Sequence, residues 1–382
     1  MSKAQRELIS SRFRSGKNIR VQNQSRHENF MREAFKLAEK GLGRTAPNPP
    51  VGAVIVKNNK IIGRGWHQGA GLPHAEIKAI KDAGIEAKGA SIYVTLEPCN
   101  HFGKTPPCSK AIKNAGLINV YFSVRDPHQK AGGGGAFLRN AGLKVEGNIL
   151  LEEGEEMIKG FLARIRKNRP HVLLKLALTL DGKIADHTGE SRYISSSGSR
   201  KLVHEWRNFA DGVMVGGNTF ASDNPRLNCR LPQGKDPLRF ILDAKLKHFN
   251  LHANVFKNGE GQIYFVVSDK LEISEKEILP AKLIKSPVRP DGYFDLHFVF
   301  NKLAELGLNR VMVEGGGKLA ASLIEEQIVD EIALFYAPVF MLDNAAVNGF
   351  GSKKSYLVKD MKRLSSYTCS RIGDDLLLQG KF

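Results

Sequence analysis

His74-Ala75-Glu76, followed by Pro98-Cys99 and then Cys108, constrains this chain more than any other stretch of its 382 residues. One imidazole and two thiolates fill three tetrahedral positions on Zn²⁺ and leave the fourth for water. A metal so held lowers the pKa of that water to roughly 7, which makes hydroxide accessible at neutral pH. Glu76 stands two residues from His74, close enough to move a proton without binding the metal. The pattern predicts one Zn²⁺ per chain on His74, Cys99 and Cys108, with Glu76 as the catalytic proton shuttle. The chemistry that follows is hydrolytic.

His-x-Glu followed by Pro-Cys…Cys is the signature of zinc-dependent nucleobase deaminases. Two residues commonly separate the Cys pair in that class, whereas eight, Asn100 to Pro107, separate it here. Isolated cysteines are often small buried hydrophobes. This chain has only four, however, and two fall in this window. His101 lies inside the loop. Three protein ligands suffice for a catalytic zinc, so His101 is expected to touch substrate or pack the loop.

Length favours two domains. No run of 18 apolar residues occurs and no apolar signal core follows the N-terminus, so no membrane partner is expected. Cys99, Cys108, Cys229 and Cys369 make no disulfide framework, and a reducing, cytoplasmic setting is expected. The net charge is +18, and residues 1–27 carry seven basic side chains against Glu7 alone. That extension is polar and aperiodic and is expected to be disordered. The charge on the remainder suits a phosphorylated substrate and a dinucleotide, and it suits RNA equally.

Glu28 to Lys40 has helical spacing, with Phe30, Ala34, Leu37 and Ala38 on one face. Strands are expected at Val51–Val56, Lys60–Gly65, Ser91–Thr95 and Asn119–Val124, with helices following Pro73 and Cys108. Alternation of this kind argues for a three-layer α/β domain over residues 28–150. Residues 151–170 form a helical connector that ends at Pro170. Residues 171–382 form a second α/β domain, with strands at His171–Leu178, Gly212–Val215, Leu238–Leu242, Gln262–Val267, Arg310–Val313 and Glu331–Tyr336. Gly216-Gly217 with Thr219, and Gly315-Gly316-Gly317, each follow a strand and open a helix. Backbone N–H groups there favour phosphate, so the pair predicts a dinucleotide site, with two tight turns as the plain alternative. Gly132 to Gly135 lacks the strand–GxGxxG–helix pattern. It stays open between a flexible turn and a phosphate contact.

The stretch Thr95 to Cys108 resembles the deaminase half of the RibD family, bifunctional proteins of riboflavin biosynthesis. Gly43 to Val54 and Gly65-Trp66-His67 resemble its earlier segments. Leu174 to Ala185, Asp223 to Arg230 and Val313 to Gly317 resemble its reductase half. The resemblance spans residues 28–345 with both halves in order. It implies a cytidine-deaminase-like domain followed by a dihydrofolate-reductase-like domain. It also implies Zn²⁺ and NADPH as cofactors and a small phosphorylated pyrimidine as substrate.

In the deaminase half the resemblance implies substrate contacts at Asn48, His67, Lys104 and Asp126. An ammonium at Lys104 beside the metal loop also makes physical sense as a phosphate holder. In the reductase half it implies substrate contacts at Lys175, Arg207, Arg230 and Glu314, and a catalytic Asp223. Thr179, Asp181 and Ser195 are expected on the cofactor side, with the two glycine turns. The chain departs from the family at His128, where Asn is usual, and at Gly134, where a basic residue is usual.

The function expected is deamination of 2,5-diamino-6-(5-phosphoribosylamino)pyrimidin-4-one, then reduction of its ribosyl group to ribityl. A homo-oligomer is the expected assembly, and nucleic acid is not an expected partner. The second reading is a tRNA or nucleobase deaminase with an accessory domain. It accounts for the charge but not for the reductase motifs or the wide Cys spacing.

Overall fold

The computed structural model describes residues 17–102, 106–128, 132–257, 261–352 and 354–382. The chain divides into two compact units, Met1–Leu162 and Ala163–Phe382. The division falls inside the expected connector, whose residues form helices Leu151–Met157 and Lys159–Lys167.

The first unit has five strands: β1 (Gly52–Lys57), β2 (Lys60–Trp66), β3 (Ser91–Leu96), β4 (Asn119–Val124) and β5 (Lys144–Glu146). They lie in the order β2-β1-β3-β4-β5. Helices α1 (Lys17–Glu39) and α2 (Ala75–Ala83) cover opposite faces. The register proves this. Val54 and Val56 pack with Ala34 and Leu37 of α1, while Ala53 and Ile55 pair with Gly65 and Gly63 beneath α2. At Gly65 a side chain would come within 2.2 Å of the Ala75 carbonyl oxygen. Only glycine lets α2 sit this low, and α2 carries Glu76. The remaining helices are α3 (Cys108–Asn114), α4 (Gly134–Asn140), α5 (Leu151–Met157) and α6 (Lys159–Lys167).

The expectation of a disordered extension through residue 27 is corrected. Helix α1 begins at Lys17. His27 packs against Tyr121 with tilted rings whose centroids are 4.3 Å apart, and its Nδ1 lies 2.7 Å from the Tyr93 hydroxyl. Extending a formed helix costs little compared with nucleating one. An aromatic anchor of this kind leaves no apolar period to read. Residues 1–16 of the extension lie outside the described residues.

The second unit contains β6 (His171–Leu178), β7 (Lys183–Ala185), β8 (Gly212–Gly216), β9 (Leu238–Leu242), β10 (Ile263–Ser268), β11 (Lys282–Ser286), β12 (Arg310–Glu314), β13 (Glu331–Tyr336), β14 (Val347–Asn348), β15 (Ser366–Ile372) and β16 (Asp375–Lys381). Its main sheet runs β11-β10-β9-β8-β12-β6-β13-β16-β15. It is parallel from β11 to β13 and antiparallel through β16 and β15. Helices α7 (Ser197–Phe209), α8 (Gly217–Asp223), α9 (Asn254–Lys257), α10 (Leu296–Glu305) and α11 (Gly317–Glu325) complete it. Apolar clusters built on Val172, Leu174 and Val313, and on Val213, Phe265 and Phe335, fill the sheet's two faces. Because β12 inserts between β6 and β8, the strand order reverses there. A crevice outside the carboxyl ends of such strands is where open α/β sheets bind ligands.

One ion pair ties the start of this unit to β13. Arg169 donates to both Asp330 carboxylate oxygens, at 2.5 and 2.9 Å, and Lys167 and the Val172 backbone N–H add bonds at 2.8 and 2.9 Å. Burial works against ionisation of Asp330, but Arg169 and the other donors outweigh it and hold the pKa at about 2. Breaking a buried pair from one side costs about 3–5 kcal/mol, so Asp330→Ala should destabilise this unit by roughly 3 kcal/mol in urea unfolding. A depressed carboxylate pKa contributes stability above the unfolded value near 3.9 that is lost as pH falls through the folded value. Wild type and variant should therefore converge below about pH 2. A constant gap between them down to that pH would exclude the ionic contribution.

Candidate active sites

His74 caps the N-terminus of α2, Cys99 lies in the loop after β3, and Cys108 opens α3. Their ligand atoms all lie within 4.8 Å of one another, the one such cluster among the described residues. His74 Nδ1 is 3.6 Å from Cys99 Sγ and 3.2 Å from Cys108 Sγ. Ligands on a tetrahedral Zn²⁺ stand roughly 3.5–3.8 Å apart at normal bond lengths. The Cys99 distance falls in that range and the Cys108 distance a few tenths of an ångström below it. The cluster therefore needs only a small opening to take zinc, and its donor chemistry fits. The Cys108 backbone N–H also points at Cys99 Sγ, at 3.4 Å. Hydrogen bonding from the Cys108 thiol is the main cause that pulls the Cys99 thiol below its ordinary pKa. The centre thus favours thiolate at Cys99 even before a metal binds.

Glu76 is 4% exposed. Burial pushes its carboxyl up to about 7, with His74 pulling the other way. A carboxyl near neutrality can both accept and return a proton. His67 lies edge-on to His74, with ring centroids 5.4 Å apart. Burial keeps His67 neutral at neutral pH by lowering its pKa. Asn48 Nδ2 meets His67 Nε2 at 3.0 Å, and Pro73 carbonyl meets Nδ1 at 3.3 Å. Asp126 sits at the end of β4 and accepts the His128 N–H at 2.9 Å. The structure therefore gathers Asn48, His67 and Asp126 around the metal loop. Lys104 lies outside the described residues.

The flexible-turn reading of Gly132 to Gly135 is corrected at its second half. Gly134 and Gly135 are buried and open α4. Any side chain at Gly134 would meet the Pro98 carbonyl oxygen at 1.8 Å, and the Gly135 N–H donates to Glu97 Oε1 at 2.9 Å. The glycines let α4 pack directly on the backbone beside Cys99. A basic side chain at 134 has no room unless that backbone moves.

The second unit holds a cavity of about 1130 Å³ at the carboxyl ends of β6, β8, β9 and β12. Lys175, Ser195, Arg207, Asp223, Arg230 and Glu314 line it, together with Gly216, Gly217, Thr219 and Gly315 to Gly317. The two glycine turns meet, since a side chain at Gly316 would reach within 3.0 Å of Thr219 Oγ1. Thr179 and Asp181 are not among the lining residues. Thr179 donates to Asp181 at 2.6 Å, and Asp181 accepts the N–H groups of Met341 and Leu342 at 3.0 and 2.9 Å. They build the turn after β6.

Arg207 lines the cavity and is ion-paired within it. Its Nε and Nη2 donate to the two Glu314 oxygens at 2.7 and 2.8 Å, and its Nη1 donates to the Asn228 carbonyl at 3.0 Å. Burial works against the charge of Glu314, but Arg207 outweighs it and keeps the carboxylate below its ordinary pKa. Arg207 thus holds Glu314 at the cavity wall. Burial lowers the Lys175 pKa, with Glu314 opposing. Sequence reasoning missed Tyr193, Arg200, His204 and Arg226, which also line the cavity. Arg226 falls inside the quoted motif, and His204 precedes Arg207 by one helical turn, so spacing offered a signal for both.

A family model described as the RibD C-terminal domain matches residues 170–378. Another, the cytidine and deoxycytidylate deaminase zinc-binding region, matches residues 24–124. Riboflavin biosynthesis protein RibD of Aquifex aeolicus is 39% identical over 353 residues, covering 92% of this chain and 97% of that one. The chain belongs to the RibD family. The Escherichia coli member is 36% identical over 334 residues, covering 83% of this chain and 89% of its own. The crystal structure of a diaminohydroxyphosphoribosylaminopyrimidine deaminase/5-amino-6-(5-phosphoribosylamino)uracil reductase from Thermotoga maritima is similar at TM-score 0.85 and 35% identity. It matches 94% of this chain and 99% of that one. Acinetobacter baumannii RibD gives 0.84 at 32% identity with the same coverage. The expected order, a deaminase-like domain before a RibD reductase domain, is borne out.

Zinc analysis tests the first centre directly. Cys99→Ser should lose most of the bound metal, because a serine hydroxyl stays protonated where the thiolate binds. Retention of a full equivalent would mean that Cys99 is not a ligand.

Proposed function

We propose that this chain deaminates 2,5-diamino-6-(5-phosphoribosylamino)pyrimidin-4-one at the first site and reduces the ribosyl group of the product to ribityl at the second. The observation that carries it is the presence of both sites on one chain, in the order of relatives matched almost end to end. Bound zinc supplies an activated water at neutral pH. Glu76 would accept a proton from the attacking water and return it to the leaving amine. Asn48, His67 and Asp126 orient the pyrimidine, and Lys104 is proposed for the phosphate on its chemistry alone.

Bound NADPH supplies hydride at the second site. The turns at Gly216–Gly217 and Gly315–Gly317 suit its phosphates, since their N–H groups open helices. Lys175, Asp223 and Glu314 meet the sugar hydroxyls, and Arg230 takes the substrate phosphate. Asp223 orients the sugar or handles the proton as hydride arrives. Ser195 remains proposed on the cofactor side.

The test is one tube containing the diaminopyrimidine ribotide and NADPH, followed for ammonia and for absorbance. Ammonia should appear first and NADPH loss should follow it. Ammonia without any NADPH loss would leave a deaminase alone.

We infer a homo-oligomer as well. Strand β15 ends the sheet, and Ser366 to Arg371 are all exposed along it, an edge that usually needs cover. Sedimentation as a monomer at micromolar concentration would remove this inference. A cytoplasmic setting is proposed from the thiolate ligand set and the free cysteines. No described helix is long and apolar enough to cross a membrane.

A further inference from the structure

Two cavity arginines are fixed in different ways. Arg207 has its charge matched by Glu314. Arg230 has no carboxylate partner among the described residues. Its Nε donates instead to His204 Nε2, at 2.9 Å. His204 lies on α7 (Ser197–Phe209), three residues before Arg207, and lines the same cavity.

A histidine that accepts at Nε2 is neutral, with its proton on Nδ1. The surroundings enforce that state. Burial first, and then the charges of Arg207 and Arg230, bring the His204 pKa down to about 4. Its Nδ1 is buried without a well-formed hydrogen bond, and the Asn228 backbone offsets this only in part. A neutral ring is therefore held here at some cost. The gain lies in what the ring does to its neighbour. A guanidinium held at Nε is fixed in its plane, and its two Nη groups stay available as a parallel fork for phosphate. A carboxylate in the same place would fix the arginine equally well but cancel its charge.

We propose that His204 is a positioning residue of the reductase, orienting Arg230 through Nε so that both Nη groups meet the phosphate of the substrate. This rests on Arg230 being a substrate contact. His204 itself touches no reacting atom.

The test is a double-mutant cycle on the full-length enzyme, with the deaminated pyrimidine ribotide and NADPH as substrates. His204→Leu should raise KM for the ribotide by roughly tenfold, the lower end of what a hydrogen bond to a charged group is worth. KM for NADPH and the ammonia-releasing activity should stay as in wild type. His204→Gln places an amide oxygen where Nε2 accepted and should recover most of the affinity. His204→Asn is too short to reach and should behave like His204→Leu, which covers the case of a poorly folding leucine variant. Arg230→Ala should raise KM more than His204→Leu, and adding His204→Leu to it should change nothing further. Additive effects in the cycle, or a parallel rise in KM for NADPH, would overturn the positioning role. An unchanged ribotide KM in Arg230→Ala alone would instead overturn the assignment of Arg230 as a substrate contact.

Discussion

Glu76→Gln should keep zinc and lower ammonia release by roughly 10²- to 10⁴-fold, the usual worth of general acid–base catalysis. Glutamine matches the shape of glutamate, so the packing around this 4%-exposed side chain survives. What it lacks is the ability to take and return a proton. The ligands His74, Cys99 and Cys108 are untouched, so metal content should stay at one equivalent. NADPH oxidation with the deaminated intermediate should continue, because that chemistry belongs to residues of the other unit. Ammonia release near the wild-type rate would show that Glu76 is a structural acid.

Asp223→Asn should reduce NADPH oxidation by at least about tenfold, with melting temperature and ammonia release unchanged. Asp223 ends α8, and its side chain Oδ1 accepts from Ser191 Oγ at 3.2 Å. A turn-capping role is the plain alternative that its sequence, Ser222-Asp223-Asn224-Pro225, suggests. Losing a cap costs about 0.5–2 kcal/mol and would appear in melting rather than turnover. The geometry disfavours it. The residue that takes the left-handed conformation after the helix is Asn224, with φ 42°. A variant that melts early yet turns over normally would return Asp223 to a structural role. A parallel fall in ammonia release would refute two independent sites.

Several elements were legible because their signal is local. The face of α1 from Phe30 to Ala38 repeats at helical spacing, and Ala34, Leu37 and Ala38 are buried as expected. The strands His171–Leu178, Leu238–Leu242 and Glu331–Tyr336 lie where apolar runs placed them. The hairpin β15–β16 was not foreseen. Its strand Ser366–Ile372 is exposed along nearly its whole length and shows no buried alternation. Strand β11 was missed too, since Lys282 and Lys285 break its apolar pattern.

The zinc centre followed from the sequence alone, because metal ligation demands particular atoms. His74 and Glu76 stand two residues apart, and Cys99 and Cys108 frame one loop. Chemistry that exacting leaves few other readings for four such residues. The order of the two halves and the glycine turns after β8 and β12 were equally plain. Tertiary structure alone decided how each cavity arginine is partnered. Arg207 and Glu314 lie 107 residues apart in the chain, and no local spacing pointed to their pairing. Arg230 keeps its charge because its partner is an uncharged ring 26 residues away. Gly134 likewise looked like a lost basic contact until the Pro98 carbonyl was placed against it. Periodicity and spacing report what lies within a few residues. Charge balance and close packing depend on neighbours that only the folded chain brings together.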